Sequence, residues 1–544
     1  MFTKVKKHYP IILFVTIMLI ATKIQGQMNH HGNSSYGVVN FNVTCSKDIK
    51  SEFNQALTLL HHMTYPQARE MFRKIAEKDS TCAMAEWGIA FTLFQPLWPT
   101  RPSSTELQQG WEAIQRAKSK NPVSKREKLL INAVEAFFQN PESNDYWKRI
   151  QAWKEGMEIA YASFPEDNEV AAFYALALLA TVPPDKIFSP NNKQAADILL
   201  KILKENPDHP GAMHYLIHAN DTPGREKESI EILKKYYEIA PNNPHALHMP
   251  THIYTRLGEW IEVINGNIKA ANAALNFPAG DKGQYIWDEF PHAIEYMIYA
   301  LLQTGNDDEA SLQLKRLQGT DNLEPTFKTA FHISSTRARY TLEREAWNEA
   351  ALINPRQPAT IEWDRYPWPE AIGWFARGIG SVHTGDTIES KKSQQRLVEL
   401  ENTALEKKEI LFARNIKVLR LELSGFIVNE EGLQDSAITL LTQAVEIESS
   451  TPKHAVTPGP TIPAYELLGN LLLANGKFED ALTAYQNSLK MFPKRFNSLL
   501  GAARSSLALK DKSGASLFYQ QLIDISISKS GREGFKEATA FISD

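Results

Sequence analysis

HPGAMHYLIHAND (His209–Asp221) is followed 34 residues later by NPHALHMPTHIYT (Asn243–Thr255), and the two stretches are variants of one pattern. Equivalent residues in the two copies are Pro210 and Pro244, His214 and His248, and His218 and His252. A period of 34 residues is typical of a repeat that consists of one helix–turn–helix hairpin. Residues at the same repeat position lie side by side on neighbouring first helices of a solenoid, so the pattern predicts an aligned group of imidazoles.

The stretch IPAYELLGNLLLANGKFEDALTAYQNSLKMFPKR (Ile462–Arg495) shows the repeat most clearly. Counted from Ile462, the Leu468–Gly469 pair, Ala481, Tyr485 and Pro493 occupy positions expected for a tetratricopeptide (TPR) repeat. Small residues allow the two helices to approach closely, large residues fill the gaps, and the proline ends the second helix. Weaker copies elsewhere bring the total to about eleven hairpins. The sequence therefore predicts an all-α fold, a TPR-type α-solenoid with right-handed superhelical twist.

Several further phrases are similar to those of a TPR-repeat family of exported or uncharacterised bacterial proteins. They are ALTLLHHMTYPQAREMF, CAMAEWGIA, HYLIHAND, ALHMPTHIYTRLG, FPHAIEYMIYALLQTG and KHAVTPGPTIPAYELLG. This resemblance covers nearly the whole chain after its first residues. It implies the solenoid fold and marks the histidine phrases as functional candidates, but it implies no particular reaction.

The composition and the first residues of the chain indicate which class of protein it is and in which cellular compartment it functions. With 544 residues, 43% hydrophobic residues and a net charge of −4, the chain lacks the basic excess of a nucleic-acid-binding protein. Three lysines precede an apolar run that is too short to span a bilayer comfortably, which indicates a secretory signal peptide with a cut near Gly26. We therefore expect export, most simply to the periplasm, without a membrane span after cleavage.

The chain divides into five segments by pattern. Residues 1–26 are predicted to be the signal peptide, and residues 27–48 are predicted to be a flexible leader. Residues 49–320 are predicted to form an N-terminal TPR-like array with a His-rich groove. Residues 321–415 are predicted to form irregular hairpins with an aromatic linker, and residues 416–544 the C-terminal TPR repeats.

Cys45 and Cys82 are the only cysteines. In an exported chain they predict a disulfide that clamps the N-terminal end of the solenoid, with two free buried thiols as the alternative.

The histidine positions predict the candidate site. Repeat positions 2, 5 and 9 share one helical stripe and face the groove in TPR arrays. Histidines at i and i+4 can close on one metal ion, and neighbouring helices are close enough to supply further ligands. The predicted metal ligands are His214, His218, His248 and His252, and the predicted surrounding ligand-binding residues are Asp221, His245, His292, Glu295 and Tyr299. Zn, Cu or Ni would suit such nitrogen ligands. The alternatives are a polar or anionic ligand without metal and purely structural packing.

Two classes of function remain open. The absence of a complete catalytic constellation favours a binding or scaffold protein of the bacterial envelope, with a protein or peptide partner, in a nutrient or polysaccharide-processing system. The alternative is a metal-dependent, hydrolase-like enzyme that uses the histidines. The aromatic cluster around Trp363, Trp368 and Trp374 could bind a glycan, but packing between helices is the favoured interpretation.

Overall fold

The computed structural model describes residues 36–543, apart from 38, 99–100, 121–123, 144, 184–185, 188, 281 and 528–529. The signal peptide predicted for residues 1–26 lies outside the described residues. Within the described part the regular secondary structure is almost entirely helical, and its strands are limited to one two-residue antiparallel pair. The prediction of an all-α, TPR-type solenoid is confirmed. Among the described residues, no helix combines the length and apolar character needed to cross a bilayer.

The helices are numbered in chain order. The first half contains α1 (Lys50–His61), α2 (Tyr65–Lys78), α3 (Ala83–Phe91), α4 (Ser104–Ser119), α5 (Lys125–Phe138), α6 (Tyr146–Ser163), α7 (Asn168–Ala180), α8 (Pro190–Glu205), α9 (Pro210–Asn220), α10 (Ile230–Ile239), α11 (Pro244–His248), α12 (Pro250–Leu257) and α13 (Trp260–Ala274). The second half contains α14 (Glu289–Gln303), α15 (Asp307–Gln318), α16 (Phe327–Leu342), α17 (Trp347–Ala351), α18 (Pro367–His383), α19 (Thr387–Glu406), α20 (Ile410–Glu430), α21 (Gln434–Ser449), α22 (Ala464–Ala474), α23 (Phe478–Met491), α24 (Phe496–Ala508), α25 (Lys512–Ile525) and α26 (Glu533–Ser543). Short 3-10 helices cover Lys47–Ile49, Glu226–Ser229 and Trp363–Arg365, and the strands are β1 (Pro278–Ala279) and β2 (Tyr285–Ile286).

Successive helices pair in antiparallel hairpins because each buries an apolar stripe against the next. The α22–α23 hairpin shows why small residues recur at the crossing. A Cβ on Gly469 would lie 2.8 Å from the ring of Tyr485, closer than carbon atoms pack. Gly476 makes the turn between the two helices with φ +73°, a conformation that other residues rarely adopt.

The segment that precedes α1 differs from the predicted flexible leader of residues 27–48. Val39, Phe41, Val43 and Cys45 are all buried, while the residues between them are exposed. This alternation has the period of an extended chain that lies on the core, and the Phe41 N–H donates to Asn54 Oδ1 at 3.1 Å. The second half of the leader is therefore a packed strap, because its apolar residues all fall on one face.

Cys45 and Cys82 form a disulfide with a Cα–Cα distance of 4.7 Å. The bond links the strap to the N-terminal end of α3, whose cap is Cys82. It therefore closes the exposed end of the array, where a solenoid has no further repeat to cover its core.

The proline-rich segment 452–463 lies against the helices that carry the histidines. Tyr296 OH donates to the Thr457 carbonyl at 3.0 Å, and Arg339 Nη2 donates to the Gly459 carbonyl at 2.6 Å. Lys453 Nζ lies 3.0 Å from Asp221 Oδ2. This segment therefore covers the histidine region.

The C-terminal repeats also return to the central ones. Trp260 Nε1 donates to the Lys494 carbonyl at 2.8 Å, and the Arg495 guanidinium donates to Tyr299 OH at 3.0 Å. Arg532 and Asp307 form an ion pair at 2.7 Å. These contacts join segments more than 190 residues apart, so the histidine region is enclosed from two sides.

The aromatic cluster packs between helices, as the sequence favoured. Trp363, Trp368 and Phe375 are buried, and the rings of Trp368 and Phe412 are 5.2 Å apart. Tyr366 and Trp374 are half-buried and pack against the same core.

Candidate metal centre

His214 and His218 of α9 meet His245 of α11, and we call these residues the first triad. The Nε2 atom of His214 lies 3.1 Å from the Nε2 of His218 and 3.1 Å from the Nε2 of His245. The i, i+4 spacing places the first two rings on one face of α9, and the packing of α11 beside α9 supplies the third. One nitrogen from each residue lies within 4.8 Å of the other two.

His248 of α11, His252 of α12 and His292 of α14 form the second triad. The Nε2 atoms of His248 and His252 are 2.9 Å apart, and the rings of His248 and His292 are separated by 4.1 Å between centroids. Their ligand atoms also lie within 4.8 Å of one another. The second triad has the same arrangement as the first triad and lies one helix pair further along the array.

The protons on two imidazoles of the second triad, His248 and His252, can be placed from their hydrogen bonds. His248 Nδ1 lies 2.7 Å from Asn267 Oδ1, and Asn267 Nδ2 donates to the Val263 carbonyl at 2.8 Å. Because an amide oxygen only accepts, the proton of His248 is on Nδ1. His252 Nδ1 likewise donates to Asp221 Oδ2 at 3.0 Å. Both Nε2 atoms therefore carry lone pairs, and these lone pairs face each other.

In the first triad, His214 and His245 also have partners for their outer nitrogens. His214 Nδ1 lies 2.6 Å from the carbonyl oxygen of His61, so Nδ1 donates and Nε2 carries the lone pair. His245 Nδ1 lies 3.2 Å from Glu289 Oε2. A carboxylate or carbonyl behind the outer nitrogen of an imidazole is the usual support for a metal-ligating histidine.

Protonation does not relieve the contact between these lone pairs. Burial and neighbouring imidazoles hold the pKa of His214, His218, His248 and His292 well below the ordinary histidine value. Burial lowers the pKa of His252 to about 4, although Asp221 opposes the shift. These five imidazoles are therefore neutral at neutral pH, which is the form that binds metals. Metal–nitrogen distances of about 2.0–2.1 Å in a tetrahedral site give nitrogen–nitrogen separations of about 3.3 Å. The observed separations of 2.9 and 3.1 Å are close to that value.

A small cavity lies between the two triads. Its volume is about 30 Å³, and His218 and His245 of the first triad and His252 and His292 of the second line it, together with Lys328. That is room for about one water molecule. Lys328 is buried and pairs with Glu289, and its Nζ lies 3.9 Å from the ring centre of Trp98. Two histidines of each triad therefore border the same small space.

A larger cavity of about 660 Å³ also borders His218. His218, Asp221, Arg256 and Lys453 line part of its wall. Burial alone would raise the pKa of Asp221, but Lys453 and Arg256 hold that pKa well below its ordinary value. Asp221 is therefore an anion that orients His252 rather than a free base. A small molecule in this cavity would touch the first triad through His218.

The structure distributes the sequence-predicted residues differently from a single four-histidine site. His214 and His218 belong to one triad and His248 and His252 to the other, although the rings of His218 and His252 are only 6.2 Å apart. His245 and His292, predicted as surrounding residues, supply the third nitrogen of each group.

Glu295 and Tyr299 serve other contacts. Glu295 accepts from Ser335 Oγ at 2.6 Å and pairs with His332 and Arg339. Tyr299 OH accepts from Arg495 and not from a histidine of either triad. The Nε2 atom of His332 is buried without a hydrogen-bond partner among the described residues, and its ring is 4.5 Å from that of His292.

The sequence did not predict the residues that contact the outer nitrogens of the triad histidines. Asn267, Glu289 and the His61 carbonyl lie behind the triad imidazoles, yet their repeat positions carry no recognisable pattern. The His61–His62 pair was the one available signal, since two adjacent histidines stand in the quoted phrase ALTLLHHMTYPQAREMF. His62 is fixed by hydrogen bonds to Tyr236 OH and the Tyr36 carbonyl.

A third group, His61, Glu169 and His209, provides an internal comparison. His61 Nε2 donates to Glu169 at 2.6 Å and its Nδ1 lies 3.0 Å from Tyr215 OH. His209 Nδ1 accepts from the Ala212 N–H at 3.2 Å, which leaves Nε2 protonated and facing Glu169 at 3.3 Å. Both imidazoles of this group face the carboxylate of Glu169 and not each other's lone pairs, so it is a structural polar cluster.

Comparisons with known proteins identify the repeat. Residues 467–529 match the family model described as tetratricopeptide repeat. The chain therefore contains TPR repeats, an architecture that supports a role in protein–protein interaction. No curated protein sequence matches it.

Solved structures with similar helical arrays include the APC/C hetero-tetramer Cut9-Hcn1, at 13% identity over 91% of this chain and 89% of that chain, with a TM-score of 0.31. Another is a monomeric mutant of IFIT1 with m7Gppp-AAAA, at 12% identity over 91% of this chain and 98% of that chain, with a TM-score of 0.36.

Proposed function

We propose that this protein is a TPR scaffold that binds two transition-metal ions, one in each histidine triad. The observation that carries the proposal is the 2.9 Å approach of His248 Nε2 to His252 Nε2, with the proton of each ring held on Nδ1 by a different acceptor. A cation between the nitrogens turns this repulsion into coordination. Zn, Cu or Ni suits three neutral imidazoles.

The alternatives explain the geometry less well. Structural packing of buried histidines pairs each donor with an acceptor, because an unpaired buried polar group costs about 1–3 kcal/mol. In the cluster of His61, Glu169 and His209 both imidazoles face a carboxylate, whereas in the second triad the lone pairs of His248 Nε2 and His252 Nε2 face each other. A metal-free anionic ligand would need donors, but the Nε2 atoms of His214, His248 and His252 are acceptors.

The proposed setting is the bacterial periplasm, with a protein or peptide partner in an envelope nutrient or polysaccharide-processing system. The Cys45–Cys82 disulfide supports this setting because such bonds persist in oxidising compartments. The TPR architecture supports the partner, since stacked repeats present extended binding surfaces.

A second candidate function is a metal-dependent hydrolase. It is favoured by the cavity of about 660 Å³ whose wall includes His218. Three protein ligands with one open position are the usual arrangement of a catalytic zinc site, whereas structural zinc sites take four. A zinc-loaded protein that hydrolyses simple esters or phosphate esters, and loses this activity in the His218→Asn variant, would support this candidate.

Elemental analysis of untagged protein tests the main proposal. We expect two metal equivalents per chain in the wild type, one in His218→Asn/His245→Asn, one in His248→Asn/His252→Asn, and none in the quadruple variant. His383→Asn is the matched control, because His383 stacks on Trp347 with 4.0 Å between centroids and belongs to neither triad. Wild-type protein that stays metal-free after reconstitution with Zn, Cu and Ni would reject the proposal.

A further inference from the structure

The wall of the larger cavity also contains two carboxyl groups, Glu422 of α20 and Glu448 of α21. Glu422 is fully buried, and neither of its oxygens has a hydrogen-bond partner among the described residues. Glu448 Oε1 accepts from the Ala464 N–H at 3.0 Å, while its Oε2 is shielded from solvent and unpartnered. The pair is separate from the histidine triads and takes no part in the proposed metal binding.

The nearby cation does not satisfy these two carboxyl groups. Arg495 is fully buried, but its guanidinium pairs with Glu466 at 2.9 Å and with Glu343 at 2.7 Å. Burial, together with the charge of Glu448, raises the pKa of Glu422 well above its ordinary value. For Glu448, burial is the main cause that raises the pKa to about 8. Without a partner, both buried carboxyl groups keep their protons, and a cation beside them would stabilise their ionised form. Two unpartnered carboxyl groups that line a cavity therefore point to a cationic ligand.

The chemistry of the wall identifies the class of that ligand. A metal ion is disfavoured because two carboxyl groups fall well short of the six to eight oxygens that calcium takes. Beside its charged and polar groups, the cavity wall includes apolar and aromatic residues such as Phe331, Trp368 and Val418. Such a wall suits a hydrocarbon chain, and aromatic rings also attract organic cations.

We infer that Glu422 and Glu448 form a binding site for an organic cation, the primary ammonium group of a small amine that enters the cavity of about 660 Å³. The ammonium group donates three hydrogen bonds and supplies the positive charge that the two carboxylates lack. The apolar part of the amine lies along the cavity wall. This inference does not depend on the metal sites.

Calorimetric titration of the full chain in EDTA tests the site with two probes of equal length, pentylammonium chloride and pentan-1-ol. We expect the wild type to bind the amine at least 10-fold more tightly than the alcohol. Glu422→Gln/Glu448→Gln should lose that preference because glutamine keeps the shape of the protonated acid but cannot ionise. Glu446→Gln is the matched control, since Glu446 lies exposed on the same helix.

Equal binding of the two probes by the wild type would overturn the inference, and so would an unchanged preference in the double variant. If the double variant does not fold, the wild-type comparison of amine with alcohol still decides the question. Because EDTA is present throughout, failure to bind the amine does not contradict the proposed metal binding. Conversely, a wild-type protein that binds no metal does not contradict the proposed amine site.

Discussion

Asn267→Leu should weaken metal binding at the second triad while it changes the metal-free protein little. Asn267 is fully buried on α13, and its Oδ1 accepts the Nδ1 proton of His248 at 2.7 Å. Leucine has a similar volume but offers no acceptor. In the metal-free variant the His248 proton can move to Nε2, where the lone pair of His252 accepts it across 2.9 Å. The new hydrogen bond replaces the lost one but occupies the place of the metal ion.

The expected magnitude follows from this exchange. Loss of an outer hydrogen bond to a metal-bound histidine typically lowers metal affinity 10- to 100-fold, or by about 1.4–2.7 kcal/mol. The metal-free protein exchanges one hydrogen bond of His248 for another, so its free energy of unfolding should fall by less than about 1.5 kcal/mol, the net value of one hydrogen bond. Without the proton shift the buried N–H would stay unpaired, at a cost of about 1–3 kcal/mol.

The assay is competitive zinc titration against a chromophoric chelator. A background with His218→Asn and His245→Asn leaves only the second triad to bind metal. Asn265→Leu serves as the control, because Asn265 is exposed on the same helix. Urea unfolding in EDTA measures the metal-free stability. The reasoning fails if Asn267→Leu binds zinc as tightly as the control, or if the metal-free variant loses 3 kcal/mol or more.

Three further outcomes are expected. Gly211→Ala should lower the free energy of unfolding by about 1–3 kcal/mol in urea titrations, because its Cβ would lie 2.3 Å from Nδ1 of the fixed His61 ring; an unchanged midpoint would contradict this. Replacing Cys45 and Cys82 by serine should cost about 3–4 kcal/mol in the chain-entropy model, and an equal midpoint for reduced and oxidised wild type would argue against it. Burial raises the pKa of Glu448 from 4.5 to about 8, so the folded protein holds this proton more tightly than the unfolded chain. The contribution of Glu448 to the free energy of unfolding is therefore complete below pH 4.5 and falls by about 1.4 kcal/mol per pH unit between pH 4.5 and pH 8. Glu448→Gln should remove that slope from the dependence of the urea midpoint on pH, and an equally steep slope would refute the assignment.

The sequence by itself determined the helical repeat and which histidines share a helix face. Both follow from local spacing: a period of 34 residues defines the hairpin, and i, i+4 spacing places His214 with His218 and His248 with His252 on one stripe. Reliance on local pattern also explains why residues 39–48 were predicted to be flexible although the structure packs them against the core. The alternation of Val39, Phe41 and Val43 was present in the sequence, but its surrounding polar residues suggested a flexible segment.

Only the tertiary structure decided how the histidines group and what supports them. The third nitrogen of each triad, from His245 or His292, depends on how neighbouring helices rotate and pack, which repeat spacing does not specify. Asn267 lies 19 residues from the His248 that it orients, and no spacing rule links the two positions. The cover over the site depends on contacts such as that of Tyr296 with Thr457, 161 residues apart. Such contacts form because the whole array buries its apolar surface at once, so they are properties of the packed fold and not of any local pattern.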